Sequence, residues 1–233
     1  MTRTTDSMDR PEGGDAETVA ERFDRIHAEL RDRICLLDYP PGTLLSETAL
    51  AKEFGVSRTP IRRVLHKLEF MGLVQIRNGI GTIVTDIDLK TFKETYALRM
   101  RLAELMGELS PVAITSDHIG RIDALLGRAH VLKEQRNPDE FAAITNDLQK
   151  ILSDLTGNEP LRETIELLYY RVARIWFSFL PQLGWEDMVS GQLSELQELR
   201  SAMECNDIRG VGQARSLHLQ RMLTRIGRFL AEP

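Results

Sequence analysis

The sequence predicts a mainly α protein in two parts: three N-terminal helices closed by a small β-hairpin wing, then a C-terminal all-α antiparallel helical bundle. Strand-like signals occur in one place only, where Leu73-Val74-Gln75-Ile76 and Thr82-Ile83-Val84 flank Arg77-Asn78-Gly79-Ile80-Gly81. Asn and Gly accept positive φ, so the intervening stretch reads as a hairpin turn. Elsewhere apolar residues recur at helical spacing, and Pro and Gly clusters interrupt them at intervals that suit helices of ordinary length.

Residues 1–16 mix Thr, Asp, Arg and Gly without an apolar run and are expected to form a flexible leader. The first helix runs from about Glu17 to Leu37 and stops at Pro40-Pro41-Gly42, since Pro lacks the amide donor and Gly admits turn geometry. A short second helix spans Ser46 to Phe54, with Gly55 where a helix C-cap needs a left-handed residue. The third spans Ser57 to Met71. Ser57 is placed to N-cap it through its side-chain oxygen, and Pro60 in the first turn sacrifices no intrahelical bond. Ile61, Val64, Leu65 and Leu68 then face inward with Leu50, Phe54 and Val56, which leaves Arg58, Thr59, Arg62 and Arg63 outward. The wing follows.

Beyond Thr85-Asp86-Ile87-Asp88 the texture is helical to the end. Breaks at Ser110-Pro111, Asn137-Pro138, Gly157-Asn158-Glu159-Pro160, Pro181 to Gly184 and Asn206-Asp207 divide this half into about six helices. Connections this short place neighbouring helices antiparallel. The expected organisation is a head of residues 17–85, a linker of residues 86–91 and a bundle of residues 92–233.

Composition excludes several functions. The 233 residues are 42% hydrophobic, and the longest stretch without Asp, Glu, Lys or Arg is the eleven residues from Ile175 to Trp185, too short to span a bilayer. A cytoplasmic protein is expected. Cys35 and Cys205 stand alone, as reduced thiols do, with no metal-type spacing around them. The net charge of −5 argues against a nucleic-acid partner, because DNA affinity comes largely from Lys and Arg neutralising phosphates. The distribution of charge reverses that inference. Between Ser46 and Val84, Lys52, Arg58, Arg62, Arg63, Lys67 and Arg77 face only Glu47, Glu53 and Glu69, a net +3 that leaves −8 for the remainder.

Three helices and a two-stranded wing are the parts of a winged helix-turn-helix, whose last helix enters the major groove. Arg58 and Arg62 are four residues apart, hence on one side of that helix, and each guanidinium can grip a guanine edge or a phosphate with two parallel bonds. Taken alone, two exposed arginines are a solvated face; here the N-cap, core stripe and wing agree on one geometry.

At these residues the sequence resembles a known family. Pro41-Gly42-Thr43-Leu44-Leu45-Ser46-Glu47, Leu50-Ala51, Phe54-Gly55-Val56-Ser57-Arg58-Thr59-Pro60-Ile61-Arg62, Leu65, Leu68, Gly72-Leu73-Val74 and Asn78, Gly79 and Gly81 are similar to the GntR-family DNA-binding domain over roughly Phe23 to Val84. The helical remainder, from Leu98-Arg99 and including Leu155-Thr156-Gly157-Asn158, resembles the FadR-like subfamily with its FCD effector domain. The resemblance implies a homodimeric transcription regulator, read here as a repressor, whose affinity for an inverted-repeat operator is set by a small metabolite. Carried onto this chain, the DNA contacts fall on Ser57, Arg58, Thr59 and Arg62 and, in the wing, on Asn78 and Gly79. Thr48 stands where many relatives carry Arg, which loses a contact or reduces it to a hydroxyl bond.

Many FCD domains hold a divalent metal with an Asp, a His four residues later and two more His residues. The resemblance places those positions on Thr145, Gln149, on or near Leu196, and on His218, so only one imidazole survives and no metal is expected. A shift of register by one or two residues would bring in Asn146 and Asp147. For the effector, with a carboxylate as one expected chemistry, the candidates are Arg99, Gln149, His218 and Tyr169; Arg99 matches a basic residue that relatives direct at an effector carboxylate. Tyr170, Arg171, Arg174, Trp176 and Phe177 could also line a pocket, though most such residues are core or surface.

No GxGxxG, GxxxxGK[ST] or HExxH motif occurs, and no enzyme is expected. The alternative, kept open by Thr48, is a ligand-binding protein or degenerate enzyme with a vestigial DNA-binding head.

Overall fold

A computed structural model describes residues 17–86, 88–179 and 183–231; the leader, residues 1–16, and the indole of Trp176 lie outside the described residues. Helix α1 (Val19–Cys35) starts at a capping box, with the Glu21 amide donating to Thr18 Oγ1 while the Thr18 amide donates to Glu21 Oε2. Its apolar stripe, Ile26, Leu30 and Ile34, is fully buried. Gly42, at φ +87°, turns the chain into strand β1 (Leu44–Leu45). Helix α2 (Glu47–Glu53) is capped by Ser46 and ends at Gly55, whose φ of +65° lets the Val56 amide return to the Ala51 carbonyl at 3.0 Å. In α3 (Arg58–Phe70) Ile61, Val64, Leu65 and Leu68 are all fully buried, as their spacing predicts. Ser57 is the N-cap of α3, but its hydroxyl takes no capping bond, contrary to expectation.

Strands β2 (Val74–Arg77) and β3 (Gly81–Val84) form the antiparallel wing, in the register Val74↔Val84 to Arg77↔Gly81. The sheet has a third strand where a hairpin was expected: β1 pairs with the other edge of β3, with Leu44 opposite Ile83 and Leu45 opposite Thr82. Two residues are too few to show alternation, so only their distant partner defines them as a strand.

Asp88 caps α4 (Leu89–Leu105) through the Thr91 amide at 2.9 Å, so residues 89–91, read as linker, form the first turn of that helix. The bundle continues with α5 (Ser116–Val131), α6 (Pro138–Ser153), α7 (Glu159–Phe179), α8 (Trp185–Glu204) and α9 (Ile208–Ala231). Among the described residues the second half is therefore six helices. The breaks at Pro111 and Gly157 are stitched together: the Val112 amide donates to the Leu155 carbonyl at 2.9 Å and the Gly157 amide to the Ser110 carbonyl at 2.7 Å. Helices α4 and α9 approach closely because Gly212 leaves no Cβ, which would stand 2.4 Å from the Ala103 carbonyl oxygen.

Head and bundle meet along α7. Arg174, 1% exposed, donates to Thr85 Oγ1 at 2.8 Å and to the Leu73 carbonyl at 3.3 Å, both at the base of the wing. Arg171 reaches the Met71 carbonyl, the Cys35 thiol donates to the Tyr170 carbonyl, and the Arg31 guanidinium lies 3.9 Å over the Tyr170 ring. Tyr170, Arg171 and Arg174, candidates for a pocket lining by sequence, belong to the seam between head and bundle, whereas Phe177 does line a cavity.

Candidate DNA-reading face and effector pocket

The first turn of α3 leaves Arg58 and Arg62 on one exposed side, because the opposite side carries the buried Ile61 and Leu65. Both guanidinium groups are held by one carboxylate. Glu47, on the first turn of α2, accepts from Arg58 Nη2 and from Arg62 Nε and Nη2, each at 3.0 Å. The Arg62 and Arg58 bonds keep the Glu47 carboxyl below its ordinary pKa against the opposing effect of burial, so it is ionised at neutral pH. Ser57, Thr59 and Thr48 are exposed beside this cluster, and Asn78 and Gly79 are exposed at the tip of the wing, with Gly79 at φ +76°. All seven residues assigned to DNA thus lie at the surface. Arg63 and Lys67 lean over the Phe23 ring of α1, each 5.4 Å from its centroid. The Glu47 clamp was not read from the sequence; an acid next to an N-cap is ordinary there, and its partners lie eleven and fifteen residues away.

The second site is a cavity of ≈ 40 Å³ inside the bundle, lined by residues of α4, α6, α7, α8 and α9. Arg99 enters it from α4 and is 7% exposed. Its guanidinium lies 5.1 Å from the Tyr96 ring and 5.3 Å from the Tyr169 ring, and among the described residues no carboxylate pairs with it. Burial lowers its pKa from the ordinary value, and Tyr96 opposes that shift. Tyr169 contributes its ring, while its hydroxyl donates to Asn146 Oδ1. Gln149 lies in the wall of a smaller adjoining cavity of ≈ 20 Å³, which shares Arg99 and Arg215 with the first.

Around His218 the structure holds a chain of polar contacts that sequence reasoning missed. Arg215 Nη1 donates to Glu195 Oε1 at 2.6 Å, His218 Nε2 lies 3.2 Å from Glu195 Oε2, and Arg215 Nη2 reaches Gln149 Oε1 at 3.4 Å. Burial pushes the His218 pKa down although Glu195 pulls it up, which favours the neutral ring. Glu195 and Arg215 were invisible because a carboxylate and a guanidinium twenty residues apart on successive helices carry no motif.

The donor set does not suit a transition metal. Leu196 is fully buried in the apolar core, and its neighbour Glu195 is the residue facing His218. That carboxylate is already paired with a guanidinium, whose positive charge among the same donors repels a dication. Nor do the shifted-register residues help: Asn146 accepts from Tyr169, and Asp147 is engaged by Arg128 at 2.8 Å and Lys150 at 3.0 Å. Among the described residues no three His, Cys, Asp or Glu side chains gather.

The geometry can be set beside known proteins. The sequence profile described as "Bacterial regulatory proteins, gntR family" matches residues 23–84, and the FCD domain profile matches residues 94–221. The chain is 26% identical to the HTH-type transcriptional repressor RspR of Escherichia coli (strain K12) over 198 residues, 85% of this chain and 86% of that protein. It is 37% identical over 211 residues, 88% of this chain and 85% of the other, to an uncharacterized HTH-type transcriptional regulator in the unstable DNA locus of Streptomyces ambofaciens. The solved structure of E. coli McbR/YncC has the same fold, with a TM-score of 0.77 at 16% identity, covering 89% of this chain and 98% of that one. With the winged head and the helical pocket each falling within its matching profile, the chain belongs to the GntR family of bacterial transcriptional regulators, as a member with an FCD effector-binding domain.

Proposed function

We propose that this regulator is a homodimeric, cytoplasmic repressor whose operator affinity is set by a small carboxylate held at Arg99, and that it has no enzymatic activity. The head, residues 17–85, is joined by residues 86–88 to the sensor, which begins with α4 at Leu89. One recognition helix offers few base contacts, so two heads related by a two-fold axis read an inverted repeat. Arg58, Thr59 and Arg62 read bases and phosphates from α3, Ser57 and Thr48 support them at the backbone, and Asn78 and Gly79 bring the wing to the flanking strand. The name of the RspR relative favours repression.

The observation that carries the reading is the dual role of α7. Tyr169, Ala173 and Phe177 line the cavity, while Tyr170, Arg171 and Arg174 on the same helix grip the head. A ligand that moves the Tyr169 ring therefore moves the helix on which the wing rests. The resulting change in DNA affinity is bounded by the difference in ligand affinity between the two arrangements. The test is a fixed-salt anisotropy titration of the promoter next to the protein's own gene, with and without a panel of short carboxylates. Specific binding with a steep salt slope that a carboxylate weakens is expected. Absence of salt-dependent binding would refute the reading and leave the vestigial head.

A further inference from the structure

Besides Arg99, which meets the Tyr96 and Tyr169 rings but pairs with no carboxylate among the described residues, the cavity contains an unanswered acceptor. Gln192, on α8, lies in its wall and is 4% exposed, and among the described residues its Oε1 has no hydrogen-bond partner. The orientation of this amide is determined by its neighbours. Gln192 Nε2 lies 3.3 Å from the Phe141 carbonyl oxygen and 3.0 Å from Thr145 Oγ1. The Thr145 hydroxyl donates its one proton to the same Phe141 carbonyl at 3.0 Å, so in this arrangement it accepts from Gln192. Both hydrogens of the Gln192 amide are therefore used; turning the amide over would set its oxygen against the Phe141 carbonyl, 3.3 Å away, and leave its NH2 without an acceptor among the described residues, even with the Thr145 hydroxyl turned to donate. A buried acceptor without a donor is costly to leave unmade, which is why such groups mark the place of something that fills them.

Charge defines the rest of the ligand. Arg99 and Arg215 carry two positive charges, Glu195 one negative, and His218 none in its favoured neutral form, so the site has a net +1 that a single carboxylate balances. Ala173, Phe177, Met188, Leu219 and Met222 make the remaining walls apolar. The cavity's ≈ 40 Å³ accommodates about three water-sized places, which suits a short chain. We infer that the effector is a short hydroxy-monocarboxylate, its carboxylate on Arg99 and its hydroxyl donating to Gln192 Oε1. An ammonium in place of the hydroxyl would also donate, but it would restore the positive charge that the carboxylate removes.

This inference rests on the reading of the cavity as a carboxylate sensor, and the experiment separates the two. Isothermal titration of the full-length protein compares butanoate with 2- and 3-hydroxybutanoate, their methyl ethers and 3-aminobutanoate. One hydroxybutanoate is expected to bind at least about tenfold tighter than butanoate, its own ether and the amino analogue, the worth of one good buried hydrogen bond. Gln192→Met should reduce that advantage to nothing while retaining butanoate binding, and Arg99→Met should abolish binding of every carboxylate. Butanoate or an ether binding as well as the hydroxylated probe, or an advantage that persists in Gln192→Met, overturns the hydroxyl assignment and leaves the carboxylate sensor standing. Equal binding of 3-aminobutanoate overturns the choice of hydroxyl over ammonium. If no carboxylate binds the unaltered protein, the sensor reading and this inference fall together. The comparison of probes on the unaltered protein decides the matter even if Gln192→Met does not fold.

Discussion

Glu47 gives the DNA face a resting state. With its carboxylate on Arg58 and Arg62, the two guanidinium groups are preorganised, yet each must leave or share that carboxylate to reach DNA. Arg58→Ala and Arg62→Ala should each weaken operator binding by about 1–3 kcal/mol without disturbing the fold, read by titration at fixed salt. Glu47→Gln loosens the hold on both arginines and removes a negative charge from the face; non-operator DNA should then bind more tightly, and the ratio of operator to non-operator affinity should fall. A different residue governs the response to acid. His27, buried beside Met71, has its pKa lowered from 6.5 to about 4, chiefly by burial and then by Lys67 and Arg31. The unfolded chain takes up this proton near pH 6.5 and the folded chain does not, so stability falls as pH drops from 6.5 towards 4. His218 acts in the same direction. Melting temperatures at pH 7.5 and pH 5 should therefore differ less in His27→Leu than in the unaltered protein.

Among the elements, what could be read in advance was whatever a local rule controls. The stripe of Ile61, Val64, Leu65 and Leu68 announces α3 because helical periodicity needs no partner, and Gly55 and Asn137-Pro138 announce helix ends by backbone chemistry alone. Strand β1 was not legible, since a two-residue strand exists only through its pairing with residues 82 and 83. The same limit applies to the sites. Arg58, Arg62 and Arg99 could be named from sequence, whereas Glu47, Glu195, Arg215 and Gln192 acquire roles only when distant helices meet. The meeting of α4 with α9 has a further requirement: with Gly212 replaced by Ala, the new methyl would strike the Ala103 carbonyl, and relief means parting the helices that carry Arg99 and Arg215. Gly212→Ala should cost about 1–3 kcal/mol in denaturant unfolding and weaken effector binding with it.

At the scale of the whole molecule, the division of charge and the seam along α7 set the behaviour. The +3 between Ser46 and Val84 attracts DNA; of the −8 elsewhere, half precedes Ser46 and half follows Val84, where it discourages the bundle from lying on DNA. Arg174 is the buried tie between the two. Its acceptors keep other partners when it is removed, since Thr85 donates to both the Gly72 and the Leu73 carbonyls. Arg174→Met should therefore still fold, losing about 1–3 kcal/mol. Effector affinity should be retained while operator affinity ceases to respond to it. Calorimetry of the effector beside anisotropy of the DNA checks this, and a response retained in Arg174→Met would show that the signal travels elsewhere. The Arg215–Glu195 pair at the floor of the sensor has one more implication. Where the resemblance to FCD domains implies a divalent cation taken from the medium, this chain places a guanidinium, covalently attached and supplied in fixed proportion to the protein. On the proposed reading such a sensor needs no metal to be competent, so chelation with EDTA should leave operator affinity and its response to effector unchanged.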